Sequence, residues 1–131
     1  PGVEEILKRV SAREITVETN PEDVTPELMK HLKSLGVNRV SIGVQSLSNR
    51  LLKVLGRTHT AQKAVDAVNI TKTAGIDNIT IDLMYELPYQ TLYTWKETVI
   101  AAAKLPITHL SLYNLTFEPH TVFKKKGIFL A

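Results

Sequence analysis

The sequence predicts an α/β fold in which about four parallel strands carry flanking helices, and three observations predict it. Four short runs, 14–19, 39–44, 78–84 and 109–115, are rich in β-branched and other apolar residues and read as strands. The stretches between them space apolar residues three and four apart, as helices with one buried face do. Glycine or proline stands at the junctions, at Pro21, Gly36, Gly75, Pro88 and Pro106, where chains turn. Helices that separate successive strands require crossovers, and therefore parallel neighbours wound with one hand. The alternation serves a doubly wound open sheet or part of a (β/α) barrel equally. In both, ligands collect at the C-terminal ends of the strands.

Val3, Ile6, Leu7 and Val10 have helical spacing. Glu14–Thr19 (EITVET) alternates and is β-branched, so it is the first strand, stopped by Asn20-Pro21. Thr25-Pro26-Glu27 opens the next helix: threonine caps free amides, and proline at the first helical position wastes no hydrogen bond. Leu28, Met29, Leu32 and Leu35 form its apolar stripe, and Gly36 suits the left-handed position past its end. Arg39–Val44 (RVSIGV) is the second strand. Ser48 caps a short helix bearing Leu51, Leu52 and Leu55, ended by Gly56. Thr60 begins a longer helix through Ala64, Val65, Ala67, Val68 and Ile70, closed by Gly75. Asn78–Met84 (NITIDLM) is the third strand. Thr91 starts a helix through Trp95, Val99, Ile100 and Ala103, ended by Pro106, and His109–Leu115 (HLSLYNL) is the fourth strand. Beyond Glu118-Pro119 the pattern weakens, and 124–131 reads as a tail. No low-complexity stretch or linker divides the chain, so residues 1–131 are expected to form one unit.

Composition bounds the chemistry. The 131 residues are 44% hydrophobic and 22% charged, an ordinary globular balance. The formal charge is +3, but the basic residues are scattered, and the single dense run, Lys124-Lys125-Lys126, reads as a solvated patch. One tryptophan, four tyrosines and three phenylalanines do not interleave with basic residues, which argues against nucleic acid as a partner. With no cysteine, these residues make no disulfide, thiolate metal site or cysteine nucleophile. None of His31, His59, His109 and His120 has metal-ligand spacing to another, and no glycine-rich phosphate loop is present. Pro1–Lys8 is no signal peptide, and no apolar run reaches the ~18 residues of a membrane span, so the expectation is a cytoplasmic protein.

At the strand ends stand Glu18-Thr19-Asn20, then Gln45-Ser46 shortly before Arg57, then Asp82 and Tyr85, then Tyr113-Asn114, Thr116 and Glu118. Polar groups from four strands are expected to converge on one rim. Glu18 and Asp82 lie inside otherwise apolar strands, where a carboxylate is costly without a partner. Arg57 or a cationic ligand would supply one. A ligand carrying an amine, a carboxylate and a ribose satisfies the whole set: Glu18 and Asp82 accept from amine or hydroxyls, Arg57 grips a carboxylate, and Gln45 donates and accepts.

Four segments, in order, resemble one family, and a fifth resembles one of its branches. Glu14–Pro21 (EITVETNP) resembles the E-I-S/T-I/V-E-x-N/D-P strand of the oxygen-independent coproporphyrinogen III oxidase and haem-chaperone family of radical S-adenosylmethionine (SAM) proteins. Asn38–Ser46 (NRVSIGVQS) and Leu55–His59 (LGRTH) are similar to its N-R-x-S-x-G-V-Q and L-G-R-x-H segments. Asn78–Thr91 (NITIDLMYELPYQT) is similar to its N-I-x-x-D-L-x-Y-G-L-P-x-Q-T. Tyr113–Phe123 (YNLTFEPHTVF) resembles the Y-x-L-T-x-E-x-G-T-x-F of the haem-chaperone branch.

The resemblance runs from about Val3 to Phe123. It implies part of a radical-SAM (β/α) barrel, with SAM contacts at Glu18, Gln45, Arg57, Asp82 and the backbone near Thr116. In the family a C-x3-C-x2-C motif holds a four-iron–four-sulfur cluster that reduces SAM to a 5′-deoxyadenosyl radical. The oxidase branch uses that radical in oxidative decarboxylation of coproporphyrinogen propionates. The implied partner of a full-length protein is a porphyrinogen or haem, in an oxidase or a haem chaperone.

The family's cysteine motif and GGTP segment lie upstream of the part matched, and its C-terminal domain lies downstream. The 131 residues alone are therefore expected to be catalytically inert. A non-catalytic SAM- or porphyrin-binding module, or an inert truncated piece, is the alternative. Open edges at the first and fourth strands predict self-association. Glu86 and His120 stand where the family pattern has glycine.

Overall fold

The computed structural model describes residues 14–114. The helix predicted over Val3–Val10, the candidate site residue Thr116, His120 and the tail lie outside the described residues. The described elements are β1 (Thr16–Thr19), a 3-10 turn (Pro21–Asp23), α1 (Pro26–Ser34), β2 (Arg39–Gln45), α2 (Asn49–Val54), α3 (Ala61–Thr73), β3 (Asn78–Tyr85), α4 (Leu92–Ala103) and β4 (His109–Asn114).

Local chemistry sets these bounds. The hydroxyls of Thr25, Ser48, Thr60 and Thr91 each accept from a backbone amide three residues on, satisfying donors that a helix start leaves free. Thr91 and Thr94 do so reciprocally, as a capping box. β1 starts two residues later than its pattern predicts, because the Ile15 amide is taken by the Asn38 side chain (2.9 Å) rather than by a neighbouring strand.

The strands form one sheet in the order β1-β2-β3-β4, every pair parallel. Val40, Ile42 and Val44 of β2 and Ile79, Ile81 and Leu83 of β3 are buried in one cluster with Met29 of α1, Ala64, Ala67 and Val68 of α3, and Ala102 of α4. These helices therefore lie against the same face. A doubly wound sheet reverses its strand order and covers both faces; consecutive order with helices on one face is the winding of a barrel. This is the partial (β/α) barrel that the family resemblance implies and that the alternation of strands and helices alone left open.

The opposite face is polar. In β3 it is formed by Thr80, Asp82 and Met84, in register with His109, Ser111 and Tyr113 of β4. Glu18 of β1 and Ser41 of β2 share the row of Thr80. Among the described residues an apolar cluster covers one corner of this face, where Leu51 of α2 and Leu87 pack with Met84, and Leu55 and Tyr113 lie against them. Among the described residues no helix is long and apolar enough to cross a membrane.

Candidate functional site

β1 and β3 each bring one carboxylate, Glu18 and Asp82, to the open face, by strand alternation alone. Tyr113 arrives from β4 in register with Met84, one pleat beyond Asp82. Withdrawal from water, the carboxylates of Asp82 and Glu18, and a hydrogen bond to Asp82 push the Tyr113 phenol above its ordinary range. The phenol therefore stays protonated and donates to Asp82, the partner that a carboxylate in an apolar strand requires.

β2 contributes by an irregularity. Its register to β3 slips between Ile42 and Gln45, an extra residue of the kind that re-aims a side chain. Gln45 then takes φ +68°, and the Ser46 amide bonds back to the Val44 carbonyl at 2.8 Å, closing a γ-turn of the strained, positive-φ kind. The Gln45 amide folds back over Gly43. A Cβ at Gly43 would stand 3.2 Å from Gln45 Nε2 and 3.6 Å from Asn20 Oδ1, so glycine there leaves room for both side chains.

Arg57 is launched by the end of α2. Gly56 at φ +74° permits the paired closure in which Gly56 N bonds to Lys53 O and Arg57 N to Leu52 O. The guanidinium reaches the exit of β1, where Nη2 donates to Asn20 Oδ1 at 3.2 Å. Its Nε is buried without a hydrogen-bond partner among the described residues, a donor that a ligand could satisfy.

Just beyond, Thr58 Oγ1 donates to Glu22 Oε2 at 2.9 Å. The His59 ring lies between Glu22 Oε1 (Nδ1, 3.5 Å) and the Val44 carbonyl (Nε2, 2.9 Å). Partial withdrawal from water works to raise the Glu22 carboxyl. Its own backbone amide, the Thr58 hydroxyl, His59 and Arg57 outweigh that and hold its pKa below the ordinary carboxylate value.

The structure divides the residues of the expected rim between two places. Glu18 and Asp82 lie on the open face below the strand ends, while Gln45 and Arg57 sit at the ends themselves. The described partner of Asp82 is Tyr113, and that of Arg57 is Asn20. Asn20 stands among the strand-end groups of the sequence reading without an assigned contact, and one residue of this cluster, His59, carries no marked role there. The buried His59, 4% exposed, could have been flagged only through its place in the LGRTH segment.

Glu86 occupies the glycine position of the family pattern and keeps a glycine's conformation, φ +57°. Its carboxylate accepts from Asn114 Nδ2 at 2.9 Å. Among the described residues no group of three or more His, Cys, Asp or Glu could hold a metal ion.

Parallel strands wound in one direction, helices on the outside and acidic, amide and guanidinium groups on the inside define a barrel segment whose polar face looks inward. The chain belongs to the radical SAM superfamily, which it matches over residues 1–101. It is 48% identical over 113 residues to heme chaperone HemW of Lactococcus lactis subsp. lactis (strain IL1403), covering 86% of this chain and 30% of that protein. It is 40% identical over 130 residues to heme chaperone HemW of Escherichia coli (strain K12), covering 94% and 34%. The structure of the radical SAM enzyme coproporphyrinogen III oxidase (HemN) from Escherichia coli superposes with a TM-score of 0.82 at 25% identity, over 93% of this chain and 29% of that one. The chain spans about a third of the length of these curated relatives. Radical SAM proteins use SAM and a four-iron–four-sulfur cluster. With no cysteine in 131 residues, this stretch supplies no thiolate to such a cluster.

Proposed function

We propose that the open face and its rim form part of a SAM site, in one folding unit that belongs to a haem-metabolism protein of the chaperone type. The observation that carries the reading is the convergence above Gly43: the Gln45 amide, Asn20, and an Arg57 guanidinium with a buried, unbonded Nε. The Glu18 and Asp82 carboxylates lie on the adjoining face. This donor set fits the parts of SAM. Arg57 suits the methionyl carboxylate, Glu18 and Asp82 suit an ammonium group and ribose hydroxyls, and Gln45 suits either kind of partner. Thr116, beyond the described residues, is proposed to add a backbone contact. The residues do not fit the cluster, so no radical step is assigned to this chain.

Identity to heme chaperone HemW of 48% and 40%, against 25% to coproporphyrinogen III oxidase, favours haem carriage over porphyrinogen decarboxylation for the parent. Calorimetric titration of SAM into the chain tests the site. Saturable heat that is lost in both Arg57→Ala and Asp82→Asn is expected. Equal affinity in all three proteins, or none in the unaltered chain, contradicts the reading.

A further inference from the structure

We infer that His59 is the positioning residue of this rim: it fixes the strained Gln45 turn and the approach of Arg57 from one buried imidazole. The inference rests on the SAM reading for its ligand, but its geometry stands independently.

The Val44 carbonyl is the pivot. It accepts from Ser46 N at 2.8 Å and from His59 Nε2 at 2.9 Å. A carbonyl only accepts, so Nε2 carries a hydrogen, and both lone pairs of Val44 O are occupied. The residue between Val44 and Ser46 is Gln45, at φ +68°. A non-glycine residue held there is strained and persists only where its surroundings over-determine it. His59 is that surrounding: its side chain has 0% exposure, so the bond to Val44 O is shielded from competing water.

The other ring nitrogen reaches a second strand exit. Nδ1 faces Glu22 Oε1 at 3.5 Å, while the other oxygen of that carboxylate accepts from Thr58 at 2.9 Å. Nδ1 itself has no hydrogen-bond partner among the described residues, so Glu22 holds this loop through Thr58, directly after Arg57. The charged groups around the ring are Glu22, from the turn after β1, and Arg57, from its own loop. Arg57 in turn donates to Asn20 at the end of β1. The imidazole therefore ties the exit of β2 to the loop bearing the guanidinium, while Thr58 and Arg57 tie that loop to the exit of β1. No role in binding a metal is implied, and His59 does not itself point at the open face.

The test pairs His59→Leu and His59→Gln with Gln45→Gly in a double-mutant cycle read by urea denaturation, alongside SAM calorimetry. Glycine adopts positive φ without strain. If His59 holds the turn, His59→Leu lowers the urea midpoint strongly in the otherwise unaltered chain and much less when combined with Gln45→Gly. SAM affinity is expected to fall about tenfold in His59→Leu, as a released strained well shifts the competent population. It should largely return in His59→Gln, whose amide can donate to Val44 O.

Additive midpoint losses, or a His59→Gln protein no better than His59→Leu, overturn the proposal. Should His59→Leu not fold, the Gln45 amide–α-proton coupling in His59→Gln reports whether φ remains positive, and a return to negative φ overturns it too. Should the unaltered chain bind no SAM, the SAM reading fails, while the stability cycle still decides the role of His59.

Discussion

Ile81 and Asp82 are consecutive in β3 and face opposite ways. Ile81 is fully buried under helices in the main cluster. Asp82 is half-buried on the open face, bonded to a tyrosine from the next strand. The same strand thus serves packing with one set of side chains and chemistry with the other. The helix face holds the fold by apolar burial and tolerates no loss of volume. The open face carries polar groups, among them the carboxylates of Glu18 and Asp82.

Breaking the comparison on the packing side should have the largest effect. Ile81→Ala is expected to cost about 3 kcal/mol, from lost burial and the cavity left behind, measured by urea denaturation. Its neighbour Asp82→Asn should cost well under about 1 kcal/mol, since an amide oxygen still accepts from Tyr113, yet should abolish SAM binding. Equal stability losses at the two positions would contradict the division of the sheet.

On the open face, Tyr113→Phe should cost about 1 kcal/mol for the lost hydrogen bond, and its titration sharpens the picture. The folded pKa is raised, so the protonated phenol stabilises the fold below the ordinary tyrosine range. That contribution is lost as pH rises through the raised value. In an ultraviolet alkaline titration Tyr113 should ionise late, together with Tyr93, which Glu97 also holds up. Tyr113→Phe should remove one late transition, and Asp82→Asn should move it earlier.

Two turns at the rim differ in how they hold positive φ, at Gln45 by a buried histidine and at Glu86 by an exposed Asn114 bond. Glu86→Gly relieves a left-handed residue, worth about 1 kcal/mol, and gives up that exposed bond. A net gain of about 0.5 kcal/mol is expected, read as a higher urea midpoint. The smallest effect belongs to Glu22. Its lowered carboxyl stabilises the fold above the ordinary carboxylate range, and that contribution is lost as pH falls through the depressed folded value. Glu22→Gln should flatten the acid side of the stability–pH curve.

Much of this was legible in the sequence because the signals are local. Strand and helix periods, hydroxyl caps before helices and glycines after them each act within a few residues, and the described elements follow them closely. Glu18 and Asp82 were legible because a carboxylate among Ile, Val and Thr has no packing reason to be there. Alternation alone left the winding of the sheet open, since strands and helices alternate alike in an open sheet and a barrel; the family resemblance supplied the barrel. The slip in β2 that turns Gln45 back over Gly43 and the seat of His59 were not legible, because each depends on contacts between distant segments. Glu86, where the family pattern has glycine, takes a positive φ that glycine adopts without strain.

The account turns on the open face being the ligand face. The direct measurement is a chemical-shift map of the isotope-labelled chain titrated with SAM. Perturbations concentrated at Glu18, Gln45, Arg57, Asp82 and Tyr113, with the helix face silent, are predicted. Perturbations centred instead on the shallow groove between α1 and α3, at Lys30, Lys63 and Asp66, would contradict it.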